Sequence, residues 1–301
     1  MAEAVSFSTK SQSNLPATAF RFGSDEPLVS IIVSNYNYGK YLRTCLDALT
    51  AQTYRNIEIV GVDAFSTDES RSIFEEYASK DTRIKLVYCP RYEKYPAVTY
   101  NMGFLHSKGE FIAIADPDDI SLSHRIEQQV RYLLAHPEID VCGTNCREFN
   151  DEQDILVVTT VERNVQNAAP PVRNPSLMLR KDCLARHGLW NWRCEMAADF
   201  EWLYRFYCGG AKFHILEECC LMYRHAYGTN VSSTRKLNQT LKLALFRTYF
   251  GVRLFHSVGF RWWRMVFITC LYASKLLALY LRAAVVHKAK KWRSLLNREL
   301  V

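Results

Sequence analysis

Residues 109–122 read GEFIAIADPDDISL, and the fold turns on this stretch. Phe111, Ile112, Ala113, Ile114 and Ala115 form an unbroken apolar run. A strand with one face in water alternates apolar and polar residues, so a run without alternation predicts a strand buried on both faces. The run stops at three carboxylates, Asp116, Asp118 and Asp119, spaced by Pro117. Carboxylates this close repel one another and resist removal from water, so a buried strand gains no stability by ending in them. A cation supplies a reason: Mg²⁺ and Mn²⁺ take carboxylate oxygens and are commonly shared with substrate phosphates. A solvated turn is the simpler reading, because Asp and Pro are common turn residues. The stretch alone leaves both open.

Upstream, the same pattern repeats. Val29 to Val33 (VSIIV) is another apolar run without alternation, and it breaks into the polar loop Ser34-Asn35-Tyr36-Asn37-Tyr38-Gly39. Leu42, Cys45, Leu46 and Leu49 then recur at helical spacing. Ile57 to Val62 predicts a second buried strand ending at Asp63, and Ser66 with Glu69 three residues on has the form of a capping box. Ile84 to Tyr88 predicts a third strand, Met102 to His106 part of a helix, and Phe111 to Ala115 the fourth strand. Ile126, Val130, Leu133 and Leu134 mark a helix closed by His136-Pro137. Alternating strands and helices predict a parallel sheet covered on both faces. Ligands of such sheets bind beyond the carboxyl ends of the strands. The Ser34 loop, Asp63 and the Asp116 cluster all fall at such ends, which favours the cation reading over the turn.

Taken together, VSIIVSNYNYGKYLRTCLDALTAQTYRNIEIVGVDAFSTDES (29–70) and GEFIAIADPDD (109–119) resemble the nucleotide-sugar glycosyltransferases of family 2, with their GT-A fold. The resemblance covers roughly Pro27 to Ser233. It implies an α/β, Rossmann-like, mostly parallel sheet with helices on both faces. Ser34, Tyr36 and Asp63 match the positions that cradle base and ribose. Asp116-Pro117-Asp118-Asp119 matches the metal motif, in which Asp118 would bind Mn²⁺ or Mg²⁺ and Asp116 would lie near ribose or sugar and the metal. The family's second acid after strand two is replaced by Ala64, which leaves the base open, with a UDP-sugar as the expected donor. Where the family often has Arg before Asn, this chain has Tyr100-Asn101, and Tyr100 reads as packing.

The second half is less periodic. Ile139 to Phe149 predicts a strand, 150–153 a turn, and 160–175 (TVERNVQNAAPPVRNP) a mobile loop over the site. Ser176 to Arg180 and a short helix to Gly188 follow. Asp199 opens a helix that turns Trp202, Leu203 and Phe206 inward. By itself it reads equally as a helix N-cap. The resemblance makes it the catalytic base, with Ala198 where an acid neighbour is usual; inverting transfer needs a carboxylate to take the acceptor hydroxyl's proton. Tyr223-Arg224-His225 and Ser232-Ser233 resemble the family's closing segment. There Arg224 would pair with the diphosphate, and His225 would ligate the metal or bond a phosphate.

Charge divides the chain. Residues 241–301 hold twelve Lys or Arg against one acid, a net +11, so the net +7 of the whole leaves −4 on the 240 residues before them. Between Met265 and Val286 the sequence is almost wholly apolar, with Lys275 and Arg282 its only charges. Arg264, Lys275 and Arg282 fall within about 20° of one another on a helix. A cationic stripe on an apolar helix flanked by Trp262, Trp263 and Trp292 predicts a basic amphipathic element lying on an anionic membrane. A hairpin packed on the body or on a second copy is the competing reading. The expected organisation is an N-terminal arm (1–26), a catalytic domain (27–240, with a nucleotide half 27–120 and an acceptor half 121–240) and a basic helical tail (241–301). With 49% hydrophobic residues, the chain has material for a sizeable core. The ten cysteines show no CxxC pair, so neither a zinc site nor a disulfide framework is expected. Without a leader sequence, the expected location is the cytosol, peripheral to the inner face of the cell membrane.

Three functions remain open. A metal-dependent inverting glycosyltransferase would act on a saccharide or lipid-linked acceptor for a surface polysaccharide or glycolipid, with no nucleic-acid partner. A nucleotidyltransferase would need a glycine-rich basic loop that SNYNYGK (34–40) does not supply. A non-catalytic adaptor draws support only from Ala64 and Ala198.

Overall fold

The computed structural model describes residues 26–89, 96–150, 154–166, 169–191 and 198–224. Four parallel strands form its first half: β1 (Val29–Asn35), β2 (Ile57–Asp63), β3 (Ile84–Tyr88) and β4 (Phe111–Ala115). They lie in the order β3-β2-β1-β4, with Val33 beside Ala115 and Asn35 beside Asp63. The first loop and both sets of acids therefore leave the sheet along one rim.

Both faces of these strands are covered, as their unbroken apolar runs require. Ile31, Val33 and Ala113 pack with Leu42, Leu46 and Leu49 of α1 (Gly39–Thr50), Phe74 of α2 (Ser70–Lys80) and Val130 of α4 (Arg125–Ala135). Ile32, Ile112 and Ile114 face the opposite way, toward Ala97 and Phe104 of α3 (Pro96–His106) and Trp202 and Leu203 of α7 (Ala198–Cys208). Helix α3 comes so close that a Cβ on Gly103 would lie 2.5 Å from Ile32 Cγ2.

Beyond β4 the directions mix. β5 (Ile120–Ser121) pairs antiparallel with β9 (Phe213–Arg224), and β8 (Met178–Arg180) lies antiparallel between β4 and β6 (Val141–Phe149). β6 and β9 run parallel over nine residue pairs, and β7 (Asp154–Val157) hangs antiparallel on β6. The result is one nine-stranded sheet whose parallel half carries the acids and whose mixed half curls round beside them.

Several expectations change. Ser66 and Glu69 do not form a capping box, because Asn35 Nδ2 and the Asn37 amide both donate to Ser66 Oγ. Asp68 does the capping, accepting from the Ser70 amide at 3.0 Å and from the Gly39 amide at 2.9 Å. Leu134 is 42% exposed, while Ile126, Val130 and Leu133 are buried. Much of 160–175 is ordered as α5 (Val161–Gln166) and a 3₁₀ turn at Asn174–Ser176. α6 (Asp182–His187) supplies the short helix before Gly188. The 1–26 arm, apart from Glu26, the 241–301 tail and His225 lie outside the described residues, as do 151–153 of the expected turn. Among the described residues, no helix is long and apolar enough to cross a membrane.

Candidate active site

The rim is assembled from strand ends. Near the end of β1, the Ser34 and Thr99 hydroxyls share a hydrogen bond of 2.5 Å, tying the strand end to α3. Tyr36 is exposed. Asp63, at the end of β2, is buried: one carboxylate oxygen accepts from Asn35 Nδ2 at 3.2 Å, the other from the Ser66 amide at 3.0 Å. Asp63 thus holds the two loops together. Phe65 beside it adopts a left-handed backbone (φ 66°) and keeps its ring 45% exposed. For a bulky residue that conformation is an outlier, and the Arg71 guanidinium lies 5.9 Å from its ring.

The acids after β4 sit in a more demanding environment. Burial, with Asp118 beside it, pushes the Asp116 carboxyl up to about 7. Burial also raises Asp118, and burial with the charges of Asp116 and Asp118 drives Asp119 well above the usual carboxylate range. Protein groups offset part of this. The Tyr100 hydroxyl donates to Asp116 Oδ1 at 2.6 Å. The Arg224 amide donates to Asp119 Oδ1 at 2.8 Å, and Arg224 Nε to the Asp118 carbonyl at 2.9 Å. Underneath lies Arg125, wholly buried, donating to the Ile114 and Leu177 carbonyls and to Ser121 Oγ. Burial lowers its pKa to about 10, against the pull of Asp119 and Asp116.

Negative charge is still in excess. Asp119 Oδ2 is buried without a hydrogen-bond partner, and all three carboxyls are shifted toward protonation. A divalent cation at Asp118 and Asp116 fits that donor set. The acids do not close a three-ligand cage among the described residues, which suits a hard ion that keeps open positions for phosphate oxygens.

Asp199 arrives from the other side. α7 begins at Ala198, so Asp199 lies inside the first turn rather than at the residue before it. It is half-buried, and its charge is felt at Asp116 and Tyr100. Asp116 and Asp199 both line a cavity of about 470 Å³, together with Asn145, Arg163, Asn174 and Tyr223. α7 is fixed there by Trp202, fully buried against Phe104, with Nε1 donating to the Gly188 carbonyl at 3.1 Å.

The structure brings the candidate residues Ser34, Tyr36, Asp63, Asp116 and Asp118 along one rim, and Asp199 lines the same cavity as Asp116. Arg224 joins them through Asp118 and Asp119, its guanidinium 4.7 Å from the Tyr41 ring and 4.5 Å from that of Phe149. Tyr100 packs as expected, stacked 4.4 Å from Trp190, but its bond to Asp116 goes unread in the sequence. Arg125 is missed entirely. An Arg two residues beyond Ser123 looks like an ordinary exposed first-turn residue, and nothing in the spacing marks it as buried.

A family model described as "Glycosyl transferase family 2" matches residues 30–206, more than half of the chain. An uncharacterized glycosyltransferase of Haemophilus influenzae is 34% identical over 243 residues, covering 72% of this chain and 71% of that protein. Several other curated relatives match over only about a third of their own length (35% and 36%). Among solved structures, S. aureus TarS 1–349 in complex with UDP-GlcNAc superposes with a TM-score of 0.65 at 18% identity, covering 79% of this chain and 70% of that one. Mannosyltransferase PcManGT from Pyrobaculum calidifontis, in complex with GDP-Man and Mn²⁺, gives 0.61 at 17% identity, covering 87% and 76%. At such identities the structural likeness speaks to fold.

Proposed function

The chain belongs to glycosyl transferase family 2, and we propose that it moves a sugar from a nucleotide-sugar donor to a hydroxyl acceptor with inversion at the anomeric carbon. The observation that supports this reading is that Asp199 and Asp116 line one open cavity, beside the rim where β1, β2 and β4 end. Donors bound to the two structural neighbours, UDP-GlcNAc in one and GDP-Man in the other, support the substrate class without fixing base or sugar.

In this reading the nucleoside lies over Ser34, Tyr36 and Asp63. Asp118, with Asp116, would hold Mn²⁺ or Mg²⁺, which supplies neutralisation of the departing diphosphate's charge. Tyr100 fixes the Asp116 carboxylate. Arg224 is anchored at the same acids, where its cation faces the diphosphate. The acceptor hydroxyl enters the 470 Å³ cavity, and Asp199 accepts its proton as the oxygen attacks. We further propose a saccharide or lipid-linked acceptor at the cytoplasmic face of the membrane, with residues 241–301 as the attachment; their net +11 supports it.

Two variants test the assignment against a panel of nucleotide sugars, with binding read by calorimetry in the presence and absence of Mn²⁺. Asp199→Asn is expected to keep donor affinity and lose about 10²–10⁴-fold in turnover, the usual share of a general base. An equal loss of donor affinity would make Asp199 a binding residue. Asp118→Asn is expected to abolish Mn²⁺-dependent donor binding while the fold survives. Wild-type binding with unchanged metal dependence would overturn the metal assignment.

A further inference from the structure

A second cluster of metal-ligating groups lies away from the acid rim, at the corner where β9 passes β5 and the start of α4. A ring nitrogen of His124, a Glu218 carboxylate oxygen and Cys220 Sγ all lie within 4.8 Å of one another. Among the described residues this is the group that gathers three such atoms. The backbone fixes it: the Leu122 amide donates to the Cys220 carbonyl at 2.9 Å, and β5 pairs with β9 at Ser121 and Leu221. His124 immediately precedes α4.

We propose that His124, Glu218 and Cys220 form a binding site for a borderline-soft divalent ion, Zn²⁺ in the first place, distinct from the oxygen-ligand site at Asp118. Donor chemistry separates the two. Thiolate and imidazole select Zn²⁺, whereas carboxylates alone suit Mg²⁺ and Mn²⁺. His124 Nε2 is buried and makes no hydrogen bond, standing 3.4 Å from Glu218 Oε1. The Cys220 side chain is fully buried, while Glu218 is half-exposed, so the cluster meets solvent on the Glu218 side. In a tetrahedral zinc site, ligand atoms about 2.0–2.3 Å from the metal stand roughly 3.4 Å apart. Metal binding would draw the three atoms in from within 4.8 Å to that spacing. Binding would replace the thiol proton by the metal and release that proton to solvent.

The site has a structural consequence. Cys220 and Arg224 are on one strand, about 13 Å apart at the usual rise per residue. A metal that ties β9 to the β5–α4 corner also fixes the strand whose end bonds Asp119 and Asp118.

Co²⁺ is the probe, because a bound thiolate gives it a charge-transfer band in the near ultraviolet that oxygen ligands do not. Full-length protein stripped with chelator is expected to bind one Co²⁺ with that band, and one Zn²⁺ is expected to abolish it while excess Mn²⁺ does not. Cys220→Ser and His124→Gln are expected to lose the band at unchanged circular dichroism. Cys219→Ser, beside the site, and Asp118→Asn, at the rim, are expected to keep it. Zn²⁺ should raise the melting temperature of wild type and leave that of His124→Gln unmoved. Absence of a thiolate band in folded wild-type protein would overturn the proposal, as would its survival in Cys220→Ser.

Discussion

Asp116→Asn is expected to stabilise the metal-free protein at neutral and alkaline pH and to remove part of its pH dependence. The substitution keeps the shape of the side chain, and its Oδ1 can still accept the bond that Tyr100 donates at 2.6 Å. Only the charge goes. In the folded chain the Asp116 carboxyl titrates at about 7, raised by burial and by Asp118; unfolded, an Asp titrates near ~3.9. Between those values the native state holds one proton more than the unfolded state, so stability falls as pH rises, by about 1.4 kcal/mol per unit. The penalty is absent below about 4 and complete above about 7. Three units set a ceiling of about 4 kcal/mol, and the true value is smaller because Asp116 lines an open cavity rather than a closed core. Removing the charge also relieves Asp119, whose carboxyl Asp116 helps to raise. For a domain of this size each kcal/mol corresponds to roughly 2–4 °C, so the variant should melt several degrees above wild type at pH 8. Denaturant melts of both proteins in chelator, from pH 4.5 to 8.5, give the difference directly. Curves that stay parallel across that range would refute the claim that Asp116 is held against its own charge. Mn²⁺ at pH 8 should stabilise wild type more than the variant.

Arg125→Met is expected to cost about 3–5 kcal/mol, because it strands acids and carbonyls that the buried guanidinium serves; urea melts would show it, and a loss under 1 kcal/mol would mean that water replaces the cation. Gly103→Ala is expected to cost about 1–3 kcal/mol through overpacking against Ile32, read by the same melts. Truncation near Lys236 is expected to abolish flotation with anionic vesicles while donor binding survives, and full-length flotation should weaken with salt, since charge attraction is screened within about 8–10 Å at physiological ionic strength. Equal flotation of the truncated chain would sink the membrane assignment, and its aggregation or altered mass by light scattering would favour packing on the body or a second copy.

The parallel half of the sheet was readable because its strands are buried on both faces. Val29 to Val33 and Phe111 to Ala115 carry no alternation, and the structure splits each run between two cores, Ile31 and Ala113 on one side, Ile32 and Ile112 on the other. The mixed half was harder for a physical reason. β8 is three residues long and β5 two, and each is a strand only because a neighbour pairs with it. The capping box failed for a related reason. Its serine was claimed by Asn35 and Asn37, at the end of β1 and just beyond it, some thirty residues away.

Site residues divide along the same line. Asp116 and Asp118 stand out because acids after an apolar run conflict with local stability, and that conflict is visible in the sequence itself. What makes the conflict tolerable is not visible there. Tyr100 and Arg125 come from α3 and α4, and each looks ordinary in its own segment; Arg224, at the end of β9, is marked by the family resemblance, but its bonds to Asp118 and Asp119 are not. His124 and Cys220 are hidden in the same way: 96 positions separate them, and no CxxC or HxxxH spacing announces a pair that only the β5–β9 ladder brings together. Spacing rules detect ligand sets carried on one element. A chain that gathers ligands from two elements gives no such signal, so the sequence expectation of no zinc site rested on spacing alone and runs against the sheet-corner site proposed above. The rim follows the opposite course, since its acids share one strand end and the cation reading could start from them alone.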